Sequence, residues 1–215
     1  MTAPEARGAP QRIAAIIPVG TLEGAKTRLG ETLDAEERLD LAERLLARTV
    51  GAALAVATVA DVLVISPDRE VLQRAADLGA RTLRQRSEGL NAGLAEARDD
   101  VVAGDADAIL VLPIDLALVS ASAIDAVLAP LAGGEPRIVV LVADRHGTGT
   151  NALALRPPEL IEFAFGPGSR SAHHAAAEAV GATYLEIEGP LAIDIDTPAD
   201  LVLAESLAPE GIGAG

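Results

Sequence analysis

Three aspartates hold the residue types best suited to a hard metal ion. Asp194 and Asp196 sit in Ile193-Asp194-Ile195-Asp196-Thr197-Pro198. In an extended segment side chains alternate, so both carboxylates fall on one face and both isoleucines on the other. Carboxylates roughly 7 Å apart along a strand repel one another unless a cation lies between them. Oxygen ligands of this kind select Mg²⁺ or Mn²⁺. Asp115, in Leu112-Pro113-Ile114-Asp115, follows the most apolar stretch of the chain, where it faces a cleft or makes a turn. Asp196 is also placed to cap a helix beginning near Pro198.

A second constellation carries positive charge. The segment from Pro18 to Gly30 contains Gly20, Gly24, Lys26, Arg28 and Gly30. It lacks the glycine spacing of a P-loop. Backbone N–H groups with a Lys and an Arg are nonetheless what a triphosphate needs. Lys26 is the only lysine among 17 basic residues. In a chain that uses arginine for surface charge, a lone lysine marks a place for a compact ammonium, or else an ordinary solvated cation. Two further loops combine glycine with hydroxyls: Asp144 to Asn151, and Phe163 to Ser171 just ahead of a helix. Thr150, the Gly166 backbone and Ser169 could cradle a phosphate or carboxylate there. His173 and His174 are adjacent in that helix and point to different sides, so they read as solvated or as minor substrate contacts.

The elements that must position these groups alternate. Strands are expected at Ile13 to Val19, Val62 to Ser66, Arg81 to Leu83, Ala108 to Leu112, Arg137 to Ala143 and Thr183 to Ile187. Helices are expected at Asp34 to Val50, Arg69 to Leu78, Asn91 to Val102, Ser120 to Leu131, Ser171 to Val180 and Pro198 to Ser206. Asp34 and Glu37 have capping-box spacing. Alternating units with fully apolar strands predict one α/β domain with a mainly parallel sheet and helices on both faces. On such a sheet ligands bind at the carboxyl ends of the strands. The domain is expected over 12–208, with tails at 1–11 and 209–215.

Composition excludes several classes. The formal charge is −15 and aromatic residues make up 1% of 215 residues. So acidic a surface repels nucleic acid and anionic membranes, and the stacking platforms of single-strand readers are missing. With no cysteine, disulfides, thiolate metal sites and a cysteine nucleophile drop out. Met1 to Gln11 does not read as a signal peptide. No apolar run reaches the about 20 residues of a membrane span. A cytoplasmic protein is expected.

Taken in order, the motifs resemble one family. They are Ala25-Lys26-Thr27-Arg28-Leu29, Leu90-Asn91, Leu112-Pro113-Ile114-Asp115-Leu116, Gly147-Thr148-Gly149-Thr150-Asn151-Ala152-Leu153, Phe165-Gly166-Pro167-Gly168-Ser169 and Asp194-Ile195-Asp196-Thr197-Pro198-Ala199-Asp200-Leu201. The chain is similar to the 2-phospholactate / phosphoenolpyruvate guanylyltransferases of coenzyme F-420 biosynthesis. The resemblance implies a single Rossmann-like nucleotidyltransferase domain that uses GTP and Mg²⁺. It implies Asp115, Asp194 and Asp196 as metal ligands, Lys26, Arg28 and Asn91 at the nucleotide, and Thr150, Gly166 and Ser169 at phosphoenolpyruvate. Lys26, Arg28 and Asp115 would then serve catalysis, and a homodimer is compatible with it. Ala117 stands where the family usually has a proline, and Gly20 where it commonly has a basic residue. The alternatives are 2-phospho-L-lactate or 3-phosphoglycerate as acceptor, a molybdopterin or sugar-phosphate nucleotidyltransferase, an Asp-x-Asp glycosyltransferase, and a noncatalytic nucleotide-binding module.

Overall fold

The computed structural model describes residues 12–21, 29–30 and 32–207. Lys26 and Arg28 lie outside the described residues, as do both expected tails. The elements run β1 (Ile13–Pro18), α1 (Ala35–Leu54), β2 (Val59–Ser66), α2 (Arg69–Asp77), β3 (Arg81–Arg84), α3 (Leu90–Ala103), β4 (Ala108–Val111), α4 (Ala121–Leu128), β5 (Ile138–Ala143), β6 (Thr150–Arg156), α5 (Ser169–Ala179), β7 (Thr183–Glu186) and α6 (Pro198–Leu207).

The strands form one sheet of order β3-β2-β1-β4-β6-β5-β7. Alternate side chains leave its two faces. Ala15, Ile17, Val64, Leu110 and Val140 pack with Leu46 and Val50 of α1, Val71 of α2 and Ile124 of α4. Ala14, Ile16, Leu63, Ile109 and Leu141 pack with Leu94 and Ala97 of α3 and Ala177 of α5. Both faces are therefore covered, which is why the central strands read as unbroken apolar runs. Helix α1 starts where expected: the Glu37 N–H donates to Asp34 at 2.9 Å and the Asp34 N–H to Glu37 at 2.8 Å. At the end of α4, Pro130 stops the α-helix and the chain tightens into a 3₁₀ turn, Ala129–Gly133.

One strand was not expected. β6 runs antiparallel between β4 and β5. Its sequence, Thr-Asn-Ala-Leu-Ala-Leu-Arg, lacks the β-branched residues that mark the other strands, apart from Thr150. The consequence is functional. An antiparallel strand begins where its parallel neighbours end, so Thr150 pairs with Ala143, the last residue of β5. Thr150 and Asn151 thus start a strand and still stand at the carboxyl edge of the sheet.

A small third cluster lies outside the two main cores. Leu29, Leu41, Leu45, Ala117, Ile195, Leu201 and Ala204 join α1 and α6 to the segments around Ala117 and Ile195. Among the described residues no helix is long and apolar enough to cross a membrane.

Candidate active site

The third cluster is what positions the acidic groups. Residues 115–117 pair antiparallel with 193–195: the Ala117 N–H donates to Ile193 O at 3.0 Å, the Ile195 N–H to Asp115 O at 2.9 Å, and Leu116 bridges Asp194. Ile195 is fully buried and Ile193 packs beside it, so the alternation turns the isoleucines inward. Asp115, Asp194 and Asp196 are each left half-buried. Burial, first, then the charge of Asp115 and more weakly that of Asp196, hold the Asp194 carboxyl above its usual range; a hydrogen bond from Asn151 opposes them. Among the described residues no three acidic or His side chains are already gathered at metal-ligand spacing. The donor chemistry still fits a hard divalent cation: three carboxylates stand on two paired segments, and Asp194 carries a charge that its surroundings disfavour.

The helix after this segment is capped one residue later than the alternative for Asp196 required. Asp200 Oδ2 accepts from the Thr197 N–H and hydroxyl, both at 2.7 Å, and from the Asp196 N–H at 3.2 Å, while the Asp200 N–H donates to Thr197 Oγ1 at 3.4 Å. Thr197 and Asp200 form a capping box with Pro198 at the first helical position. Asp196 contributes its backbone N–H to it. Arg145, from the β5–β6 loop, ion-pairs with Asp200. Burial pushes the Asp200 carboxyl up, but the Thr197 and Asp196 hydrogen bonds and the Arg145 charge outweigh it and leave it below the usual range. Its folded value is depressed, so its contribution is present above the unfolded value and is lost as pH falls through the folded one. Asp200→Ala should cost about 2 kcal/mol, the sum of a lost cap and stranded donors. Thermal melts at pH 7 should show a lower Tm, with the gap to the wild type closing in acid. An unchanged Tm at pH 7 would discard the cap.

Asn151 connects the acidic groups to the second constellation. Its Nδ2 donates to Leu191 O at 3.0 Å and to Asp194 Oδ1 at 3.4 Å. Beside it, Thr150 Oγ1 lies 3.0 Å from His173 Nδ1. The β5–β6 loop is folded on itself: Asp144 accepts from the Thr148 N–H at 2.7 Å, and Arg170 of α5 donates to Gly147 O at 3.0 Å. Ser169, buried, opens α5 directly after Gly166 and Gly168, which have φ of +131° and +75°. Thr150, Asn151 and the start of α5 are thus brought to one edge of the sheet, with Asp194 in contact.

Two residues have partners other than those expected. His173 is fully buried, not solvated, and accepts from the Ala164 N–H at 3.0 Å. Asn91 faces the 163–169 loop: the Phe165 N–H donates to Asn91 Oδ1 at 2.8 Å and Asn91 Nδ2 to Phe165 O at 3.0 Å. Its carboxamide retains capacity for a ligand but is first a clamp on that loop. Asn151 and His173 are the residues whose roles sequence reasoning missed. The inward stripe Ser169, His173, Ala177 has the spacing of one helix face and could have marked His173 as buried.

A cleft of about 250 Å³ opens at the carboxyl ends of β1–β3, lined by Pro18, Val19, Gly20, Pro67, Gln85, Gly89 and Leu90. A larger cavity, about 490 Å³, opens at the opposite ends of these strands beside Arg12, Asp61, Arg81 and Asp100. It contains no site residue, and Arg81 there is ion-paired to Asp61 and Asp100. The smaller cleft, beside Gly20 and the start of α3, stands at the strand ends where ligands bind on such a sheet.

The family model described as "Guanylyl transferase CofC like" matches residues 13–205. A phosphoenolpyruvate guanylyltransferase of Sphaerobacter thermophilus is 44% identical over 199 residues, 92% of this chain and 94% of that one. The chain belongs to the CofC-like guanylyl transferase family. A second member, the phosphoenolpyruvate guanylyltransferase of Rubrobacter xylanophilus, is 44% identical over 193 residues, 89% of this chain and 93% of its own. As a guanylyltransferase the chain is a nucleotidyltransferase, and its sheet agrees. The 4-diphosphocytidyl-2C-methyl-D-erythritol synthase of Anaerococcus prevotii has the same fold at 11% identity, with a TM-score of 0.62 over 94% of this chain and 100% of its own. A protein described as a nucleotide-diphospho-sugar transferase, from Desulfovibrio desulfuricans, superposes with a TM-score of 0.75 at 13% identity, over 92% and 88% of the two chains.

Proposed function

We propose that the protein transfers GMP from GTP to phosphoenolpyruvate, giving enolpyruvyl-diphospho-guanosine and pyrophosphate, as a cytoplasmic step of coenzyme F-420 biosynthesis. Asn151 is the observation that carries it. This one side chain touches the Asp194 carboxylate and follows Thr150, so the acidic groups and the anion-binding loops serve one reaction. The acceptor is the one named for the relatives at 44% identity.

A phosphate oxygen of the acceptor attacks the α-phosphorus of GTP. The bond from that phosphorus to the bridging oxygen breaks, and pyrophosphate leaves with the electron pair. With a second pKa near 6, by analogy with phosphorylated side chains, the acceptor phosphate is largely dianionic at pH 7 and needs no general base. Thr150, the Gly166 N–H and Ser169 would hold the acceptor so that this oxygen faces the nucleotide. Lys26 and Arg28, which follow β1 in the sequence, would hold the triphosphate, with Asn91 at its edge. Asp115, Asp194 and Asp196 would hold Mg²⁺ or Mn²⁺, whose charge neutralises the reacting phosphates.

The test supplies GTP and Mg²⁺ with phosphoenolpyruvate, 2-phospho-L-lactate or 3-phosphoglycerate in turn, and measures pyrophosphate and product mass. Phosphoenolpyruvate should give the highest kcat/KM. Preference for either other acid replaces the acceptor, and no release with any of the three rejects the reaction.

A further inference from the structure

We infer that His173 is the positioning residue of the acceptor site: it donates from Nδ1 to the Thr150 hydroxyl, turning that hydroxyl's hydrogen toward the acceptor, and holds the loop that carries Gly166. The inference rests on the acceptor-site assignment proposed above.

The ring's tautomer follows from its partners. A backbone N–H can only donate, so the Ala164 N–H at 3.0 Å requires a lone pair on Nε2. The ring is fully buried, and burial lowers its pKa to about 4, so at neutral pH it carries a single proton. That proton is on Nδ1. Nδ1–H then donates to Thr150 Oγ1 over 3.0 Å. An Nε2–H ring would set one donor against another at Ala164 and is ruled out by the same contact. Thr150 Oγ1, having accepted, keeps its own hydrogen, and among the described residues that hydroxyl has no other partner. A threonine hydroxyl held this way is a donor, which suits a phosphate or carboxylate oxygen.

The same ring reaches the other two acceptor contacts. Ala164 is two residues before Gly166. Its neighbour Phe165 is held at both backbone groups by Asn91 of α3, and the Phe165 ring meets the imidazole edge-on, with centroids 5.1 Å apart. The Ala164 and Phe165 N–H groups are thus committed to side chains of α5 and α3. Among the described residues the Gly166 N–H that follows has no partner. Ser169 lies one helical turn before His173 on the inner face of α5. One buried imidazole therefore sets the spacing of a hydroxyl on β6, a backbone amide in the loop and the start of α5.

The experiment combines steady-state kinetics with NMR. His173→Phe keeps an aromatic ring and removes both nitrogens. It should raise the KM for phosphoenolpyruvate about tenfold, the loss of an oriented hydrogen bond, with the KM for GTP within about twofold. His173→Asn offers an amide donor near the position of Nδ1 and should recover most of that loss, with thermal melts confirming that both variants fold. Nitrogen-15 NMR of the wild type at pH 7 should show the His173 ring, assigned by its loss in the Asn variant, protonated at Nδ1 alone. A KM for phosphoenolpyruvate unchanged in His173→Phe, or both KM values raised together, overturns the inference; so does no recovery in a folded His173→Asn, or a proton on Nε2. Thr150→Val separates the two levels. If it leaves the phosphoenolpyruvate KM unchanged, the acceptor site itself is misplaced; if it raises that KM while His173→Phe does not, the inference about His173 alone fails.

Discussion

Asp194→Asn should lower kcat by roughly a thousandfold or more at saturating Mg²⁺, the scale at which losing a metal-held charge on transferring phosphates is felt. It should do so without harming the fold. Burial and the Asp115 charge both oppose ionisation at position 194, so the neutral amide removes a repulsion and the metal-free variant should melt at or above the wild-type temperature. The sign follows from the shift. A carboxyl whose folded pKa is raised binds its proton more tightly in the native state. Metal-free stability therefore falls as pH rises from the ordinary aspartate value through the raised one, and Asn abolishes that slope. Metal reverses the order. Mg²⁺ binding to the native state should raise the wild-type Tm, chelation should cancel the rise, and the variant should show little of either. Asp115→Asn should lose turnover in the same way. Near-normal turnover in Asp194→Asn, or an equal Mg²⁺-induced Tm rise in variant and wild type, rejects the metal assignment.

Gly166→Ala should raise the KM for phosphoenolpyruvate by roughly 10- to 100-fold, with the KM for GTP within about twofold. The cause is backbone, not bulk. A Cβ at Gly166 would meet no atom within 4 Å, yet φ is +131° there, a region costing a residue with a side chain roughly 1–3 kcal/mol. Asn91 holds Phe165 O, and with it the peptide plane that carries the Gly166 N–H, so relieving the strain turns the Gly166 carbonyl and the start of α5 away from the acceptor. Ala164 and Phe165 before it are anchored to His173 and Asn91, and the Ser169 N–H after it is bonded to Gly166 O at 3.1 Å, so rotation falls on Gly166 itself. Unchanged phosphoenolpyruvate kinetics in Gly166→Ala would remove this turn from the acceptor site.

Features governed by near neighbours are legible in the amino-acid sequence. The Asp34–Glu37 cap depends on residues three apart. The inward turn of Ile193 and Ile195, leaving Asp194 and Asp196 outward, follows from strand alternation alone. The order of parallel strands and helices follows from apolar runs and their breaks, and the motifs in order point to the guanylyltransferases. What depends on distant partners is not legible there. β6 is a strand because β4 and β5 hydrogen-bond it on both sides, a force absent from its own Ala and Leu residues. Asp196 has the right type and spacing to cap α6, but the hydrogen bonds settle on Thr197 and Asp200, aided by Arg145 from another loop. His173 looks like an exposed helix residue until Thr150, 23 positions earlier, and Ala164 close over it. Asn91 resembles a nucleotide contact, but nothing near it in the sequence shows that its amide also clamps Phe165, 74 positions on. Local periodicity and capping are written in adjacent residues; which donor meets which acceptor across the sheet is decided only when burial forces every polar group to find a partner.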